Sequence, residues 1–139
     1  QLVSSWLWNF GTQEEATSEN LDLKNPKSIY PLHGMVSDSE WKKQLWQSVN
    51  EKIKLQACGS IAYKLLLLSK GECNFVASKQ PKNIWDIAGG SQLLAAKGYK
   101  LYCENKEVVK FNRVLWPSPL LWCLPEDSRT LNNILFGYE

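Results

Sequence analysis

Histidine is the scarcest of the residues that carry chemistry, because His33 is the single histidine among 139 residues. One histidine is too few for a histidine-rich metal site and leaves little for a serine–histidine–aspartate triad. Any metal chemistry is therefore expected to rest on carboxylates. His33 itself is expected to be structural or simply exposed.

Closely spaced cysteines are also missing. The sequence has no C-x-x-C pair, and its four cysteines lie far apart, at Cys58, Cys73, Cys103 and Cys123. A chain of this length does not need disulfides to stabilise its fold. We therefore expect a reducing compartment, either the cytoplasm or the stroma or matrix of an organelle.

The sequence has no basic stripe and no long apolar run. Its 16 basic and 14 acidic residues give a net charge of +2, so a nucleic-acid polymer is a weak candidate for a partner. The longest apolar run lies around Leu65–Leu68 and is far shorter than the roughly 20 residues that span a bilayer. No membrane partner is expected.

What is present is the composition of a globular protein, with 44% hydrophobic and 22% charged residues. The length fits one domain, which we take as residues 1–139. The chain enters at Gln1 on an apolar, aromatic segment without the pattern of a signal peptide. We expect it to be a processed or truncated part of a longer protein.

Apolar patterns predict alternating strands and helices. The predicted strands are Val3–Phe10, 29–37, 53–59, 72–78 and 119–125, the predicted helices are Ser39–Lys52, 61–70, Trp85–Lys97 and 127–137, and a hairpin is expected around Asn105 and Lys106. Residues 11–28 are polar and are predicted to form a long surface loop. This alternation predicts an α/β fold, with a mixed β-sheet covered by helices.

Capping residues and glycines predict where the helices begin and end. The expected caps are Asp38 or Ser39, then Ser60, then Asp127 or Ser128, with helix stops at Gly71 and Gly98. Three tryptophans fall on the apolar faces of predicted helices and are expected in the core: Trp41, Trp46 and Trp85.

Asp86 is the first candidate for chemistry. It lies in the first turn of a predicted helix, where free amides and the helix dipole stabilise a negative charge. A carboxylate held there suits Mg²⁺, which prefers oxygen ligands and takes one or two protein carboxylates. The alternative is a helix-capping role without any ligand.

Two segments, "GSIAYKLLLLSKGE" and "PKNIWDIAGGSQLLAAKGYKLY", resemble the C-terminal half of the inositol monophosphatase family. The shared features are Gly59-Ser60 at a strand-to-helix turn, Gly71 at the end of the helix, and a Trp-Asp-x-Ala-Gly signature at 85–89. The resemblance is clearest over residues 57–102. It is closest to the branch of CysQ-type 3'(2'),5'-bisphosphate nucleotidases.

The resemblance implies a Mg²⁺-dependent phosphatase that acts on a small phosphate monoester, such as a bisphosphate nucleotide or an inositol phosphate. By the same resemblance, Asp86 is a metal ligand that also lies against the substrate, and Gly59 and Ser60 line the substrate pocket. Lys64 and Lys82 are candidates to meet a substrate phosphate, although an exposed lysine is more often only solvated.

The chain also departs from the family. The family's other metal ligands, a Glu-Glu pair and an Asp-Pro-(Ile/Leu)-Asp-Gly-Thr motif, are not found here, since Glu14 and Glu15 stand in different surroundings. Asp38 occupies a position where the nucleotidase branch has an arginine. The chain alone is therefore expected to be inactive without a missing N-terminal half or a partner protein. The alternative is a non-catalytic interaction or structural module.

Overall fold

The structure is a computed structural model that describes residues 31–49 and 52–139. The predicted strand Val3–Phe10 and the predicted loop 11–28 lie outside the described residues. Within the described part of the chain, no helix is long and apolar enough to cross a membrane.

Strands and helices alternate along the chain, as predicted. In order they are β1 His33–Val36, α1 Asp38–Lys42, β2 Lys54–Ala57, α2 Ile61–Ser69, β3 Phe75–Ser78, β4 Lys82–Asn83, α3 Ile84–Ala96, β5 Lys100–Cys103, β6 Lys106–Glu107, β7 Leu115–Trp116, β8 Leu120–Cys123 and α4 Pro125–Phe136. Two of the strands, β4 and β7, were not predicted, because strands of two residues carry no alternating pattern.

The main sheet has the strand order β2-β1-β3-β8-β5-β6, and β4 pairs with β7 in a separate ribbon. Strand β1 is parallel to β2 and β3, while β8 is antiparallel to β3 and to β5. The predicted mixed α/β sheet is therefore confirmed. Because β1, β2, β3 and β5 all run the same way, their last residues share one edge of the sheet, which we call the carboxyl edge.

The core lies on both faces of this sheet. Successive residues of β8 alternate between the two faces, so that Trp122 packs with Leu65 of α2 and Ile87 of α3. Its neighbour Leu121 packs on the other face with Leu131 of α4 and with further apolar side chains. Helices α2 and α3 thus cover one face, and α4 contributes to the cover of the other.

The predicted helix Ser39–Lys52 is wrong in its length and in its cap. Helix α1 ends at Lys42, and turns follow as far as residue 49. Gln44 has a φ of 62°, which is incompatible with a right-handed helix. The capping residue is Ser37, whose Oγ accepts a hydrogen bond from the Glu40 amide at 3.0 Å.

The tryptophan predictions were right for Trp46 and wrong for the other two. Trp46 is fully buried, whereas Trp41 is 37% and Trp85 is 69% exposed. Trp41 lies in a helix of five residues, which is too short to present a long apolar stripe. Trp85 lies across α3 from the buried Ile87 and Leu94 and therefore faces away from the sheet.

The predicted ends of α2 and α3 are confirmed. Ser60 caps α2 by accepting from the Tyr63 amide at 3.2 Å. Gly71 and Gly98 follow α2 and α3 with φ values of +78° and +96°, which only glycine adopts without strain. The prediction for α4 was wrong, because this helix begins at Pro125 and not at a cap formed by Asp127 or Ser128.

The hairpin around residue 105 is also confirmed. Cys103 pairs with Lys106, and the two residues between them, Glu104 and Asn105, both have positive φ. This is the geometry of the two-residue turns that match strand twist.

The four cysteines are free thiols.

Candidate functional site

The candidate site lies at the carboxyl edge of the sheet. Helices α1 and α2 begin there, directly after β1 and β2, and α3 begins after the short strand that follows β3. In open α/β sheets, ligands bind outside the carboxyl ends of the strands. All five residues that are candidates to bind metal or substrate lie in the segments that follow β2 and β3 at this edge: Gly59, Ser60, Lys64, Lys82 and Asp86.

The Gly59-Ser60 turn joins β2 to α2 and lies against the start of α1. A Cβ placed on Gly59 would be 3.3 Å from Oδ2 of Asp38, so the absence of a side chain brings the two segments close together. Ser60 has φ 64° and ψ 115°, a conformation that costs energy for a residue with a side chain. Its hydroxyl oxygen is used to cap α2.

Lys64 lies one turn further along α2 and is only 2% exposed. Its Nζ donates a hydrogen bond to the Cys58 carbonyl at 2.8 Å. Burial is the largest cause and lowers the pKa of Lys64. The charge of Lys82 lowers this pKa as well, whereas Cys58, Glu40 and Asp38 raise it. The ammonium group is therefore buried among the charges of the candidate site.

Lys82 lies in β4, just before α3, and is half-buried. It pairs with Trp116 of β7. Because its charge reaches Lys64, the two predicted phosphate-binding lysines lie on the same side of the molecule. That either lysine meets a substrate phosphate remains a prediction.

Asp86 is exposed in the first turn of α3. Among residues 31–49 and 52–139, its carboxylate has no hydrogen-bond or ion-pair partner. The helix is preceded by Asn83, whose side chain makes no capping bond. Within the described part of the chain, Asp86 therefore makes no capping bond, and both its oxygens are open to a ligand there.

The described residues do not complete a magnesium site by themselves. Within the described part of the chain, no group of three or more His, Cys, Asp or Glu side chains could hold a metal ion. Asp86 could supply one carboxylate, and Mg²⁺ takes six oxygen ligands. The remaining ligands would have to come from outside these residues or from water.

Glu40 is a site residue that the sequence did not reveal. It is fully buried, and its carboxylate accepts hydrogen bonds from Trp46 Nε1 at 3.0 Å, Ser78 Oγ at 2.8 Å and the Lys79 amide at 2.8 Å. Glu40 therefore ties the start of α1 to the end of β3. No local signal marks it, because its partners in β3 and beyond lie 38 and 39 residues away.

Solved structures share this architecture. CysQ from Bacteroides thetaiotaomicron, described as a bacterial member of the inositol monophosphatase family, matches with a TM-score of 0.53 at 19% identity over 72% of this chain. Inositol monophosphatase II of Staphylococcus aureus matches with a TM-score of 0.64 at 14% identity over 83% of the chain. SuhB of Mycobacterium tuberculosis matches with a TM-score of 0.58 at 16% identity over 80%.

These matches show that the chain has the fold of inositol monophosphatase family members, as the sequence resemblance implied. The chain spans 40% of the length of the CysQ structure and 44% of the other two. No family model matches the sequence, and no curated protein is significantly similar to it.

Proposed function

We propose that this chain forms one wall of a Mg²⁺-dependent phosphatase site that hydrolyses a small phosphate monoester, either a bisphosphate nucleotide or an inositol phosphate. The observation that carries the proposal is the position of Asp86. Its exposed carboxylate lies in the first turn of α3 and has no partner among the residues that the structure describes, at the edge where this fold places its strand ends. The likeness of the fold to inositol monophosphatases and CysQ supports the reaction class.

Each predicted residue has a role in this proposal. Asp86 contributes one oxygen ligand to the metal and lies against the substrate. Gly59 lets the substrate approach the backbone closely, and Ser60 fixes the turn by capping α2. Lys82 supplies positive charge for the phosphate, which is needed because Asp38 presents a carboxylate to the same turn.

The proposal requires further carboxylates. A chain that spans 40–44% of its structural relatives and offers one free carboxylate at α3 is expected to receive the other ligands from an N-terminal half or from a partner protein. We therefore expect the isolated chain to be inactive.

The test is phosphate release by the complete native polypeptide, with an adenosine 3',5'-bisphosphate and an inositol monophosphate as substrates. We expect release from at least one of them in Mg²⁺, and none when the metal is removed with a chelator. Release that persists without divalent metal would contradict the metal assignment. The absence of release from both substrates would contradict the substrate class.

A second candidate function is that of a non-catalytic interaction module, and the exposed apolar side chains near the start of α3 favour it. Trp85 is 69% exposed, and Val114 is exposed as well. The two lie close together, because the Val114 carbonyl accepts a hydrogen bond from the amide of Ile84, the residue before Trp85. Leu115 is also exposed. Exposed apolar side chains that lie near one another are typical of surfaces that a partner covers.

The two candidates differ in what covers this surface. With 5-fluorotryptophan incorporated, the ¹⁹F signal of Trp85 reports its contact with water through the solvent isotope shift. In the phosphatase proposal, Trp85 is exposed in residues 1–139 and protected in a complete polypeptide that releases phosphate. Protection only on addition of a separate protein, without phosphate release, would favour the interaction module.

A further inference from the structure

Asp38 lies directly against the Gly59-Ser60 turn. Strands β1 and β2 are parallel and paired in register as far as Val36 and Ala57, so the segments that follow them leave the sheet side by side. A Cβ on Gly59 would be 3.3 Å from Oδ2 of Asp38, and both residues are exposed. A molecule that approaches the backbone of Gly59 therefore meets the Asp38 carboxylate.

The oxygens of this carboxylate are open to a ligand within the described part of the chain. Helix α1 is capped by Ser37, whose Oγ accepts from the Glu40 amide at 3.0 Å, so capping does not engage Asp38. Among residues 31–49 and 52–139, the Asp38 carboxylate has no hydrogen-bond or ion-pair partner. Because an ionised carboxylate only accepts hydrogen bonds, Asp38 offers a ligand acceptor oxygens and no donor.

The charged side chains that lie behind the turn do not reach a ligand. Lys64 is 2% exposed, and its Nζ donates to the Cys58 carbonyl at 2.8 Å. Glu40 is fully buried, and its oxygens accept three hydrogen bonds from the protein. Asp38 is therefore the charged side chain that a ligand contacts at Gly59.

Positive charge reaches the candidate site from a different segment. Lys82 lies in β4, after β3, and Asp86 follows it in the first turn of α3. In the proposed function these two residues serve the phosphate that is hydrolysed, Lys82 by its charge and Asp86 through the metal. The group that approaches Gly59 is then another part of the same substrate.

A hydroxyl group and a second phosphate would interact with Asp38 in opposite ways. A hydroxyl group donates a hydrogen bond to the carboxylate, and bonds to a charged acceptor are stronger than neutral ones. A phosphate monoester is an anion near pH 7, and its oxygens accept hydrogen bonds as the carboxylate does. Like charges at close range repel, so a second phosphate is disfavoured beside Gly59.

We propose that Asp38 is a specificity-determining residue of the candidate site, which accepts a hydroxyl group of the substrate beside Gly59 and excludes a second phosphate there. Of the two substrate classes in the proposed function, this selects the phosphate monoester of a polyol, such as an inositol monophosphate, over a bisphosphate nucleotide. The inference rests on the proposed function.

The test compares the kcat/KM of the complete native polypeptide in Mg²⁺ for an inositol monophosphate and for adenosine 3',5'-bisphosphate. We expect the wild type to prefer the inositol monophosphate by about tenfold or more. Asp38→Asn keeps the size of the side chain and removes its charge. It should raise kcat/KM for the bisphosphate by about tenfold, mainly through a lower KM, and change the value for the inositol monophosphate by less than about threefold.

Two controls separate an effect of charge from a structural effect. Glu72→Gln removes an exposed carboxylate at the start of the loop into β3 and should change either value by less than about twofold. Added KCl should reduce the preference of the wild type, because salt screens exposed charges. It should leave the preference of Asp38→Asn unchanged.

The outcomes distinguish this inference from the proposed function. A wild type that prefers the bisphosphate, or an Asp38→Asn protein with the preference of the wild type, would overturn the role of Asp38 while the phosphatase activity stands. Release from neither substrate would contradict the proposed function, and the inference would fall with it.

Discussion

Two carboxylates near the carboxyl edge, Glu40 and Asp86, have opposite surroundings. Glu40 is fully buried and accepts three hydrogen bonds, so its oxygens are engaged by the protein. Asp86 is exposed and has no partner among the described residues. A buried charge is tolerated when its hydrogen bonds are complete. Glu40 therefore acts in the architecture of the site, whereas the oxygens of Asp86 are open to a ligand within the described part of the chain.

Replacement of Glu40 tests its structural role. Glu40→Ala leaves the Trp46 indole, the Ser78 hydroxyl and the Lys79 amide without their acceptor. It should lower the free energy of unfolding by about 3 kcal/mol or more. Glu40→Gln keeps the shape and one acceptor oxygen and should be intermediate. Urea unfolding measures the change.

The matched control is Glu72→Ala, because Glu72 is exposed at the start of the loop into β3. It should change stability by less than about 0.5 kcal/mol. Equal effects of Glu40→Ala and Glu72→Ala would show that the three hydrogen bonds contribute nothing to the fold.

The buried thiol of Cys73 is expected to make the stability of the protein depend on pH. Burial raises the pKa of its thiol to about 12, from 9.0 for an unperturbed cysteine. Between these values the folded protein keeps a proton that the unfolded chain has lost. Stability is therefore complete below pH 9 and falls as the pH rises toward 12.

Removal of this thiol should flatten the pH profile. Between pH 8 and pH 10, the wild type should lose about 1 kcal/mol more stability than Cys73→Ala does. Urea unfolding at the two pH values, with reductant present, gives the difference. Identical losses in both proteins would mean that the folded thiol titrates like a free one.

At the scale of the elements, β1 and β3 pack closely because Gly34 of β1 has no side chain. A Cβ on Gly34 of β1 would lie 2.1 Å from two ring carbons of Phe75 in β3. Phe75 is fully buried, so its ring has no open space to move into. Glycine within a strand marks this kind of close approach.

Gly34→Ala should therefore destabilise the protein by about 3 kcal/mol, through overpacking. Phe75→Leu removes ring atoms from the contact and should cost about 1 kcal/mol alone. The double variant should be more stable than the sum of the two predicts, by about 1 kcal/mol. Strict additivity in denaturant unfolding would mean that the two positions do not touch.

The elements also show what the sequence could and could not reveal. The ends of α2 and α3 were predictable from Ser60, Gly71 and Gly98, because capping and positive φ are local properties of a few residues. The early end of α1 depends on Gln44, whose positive φ follows from no residue preference. The Trp85 exposure was missed because hydrophobicity does not say which side of a helix a sheet will cover.

At the scale of the whole molecule, the fold was predictable from the alternation of strands and helices and from the resemblance of residues 57–102. The candidate site was predictable in part. Gly59, Ser60, Lys82 and Asp86 follow β2 and β3 at one edge because parallel strands end there. The role of Glu40 could not be predicted, because it depends on contacts between residues far apart in sequence.

The number of metal ligands among the described residues also limits the activity that these residues can carry out alone. The described residues supply the fold, the turn, two lysines and one free carboxylate at α3, and they contain no complete cluster of metal ligands. The matched part of the chain covers 40% of the CysQ structure and 44% of the Staphylococcus aureus structure. The proposed catalysis therefore requires an assembly in which Asp86 is one ligand among several.

The measurement that tests this most directly is magnesium-dependent phosphate release by the complete polypeptide that carries Asp86→Asn. The change keeps the size of the side chain and removes its charge, so we expect the rate to fall by about a hundredfold or more. Unfolding midpoints should be unchanged, and Glu72→Gln should release phosphate like the wild type. An Asp86→Asn protein with wild-type release across a magnesium titration would show that Asp86 is not a metal ligand.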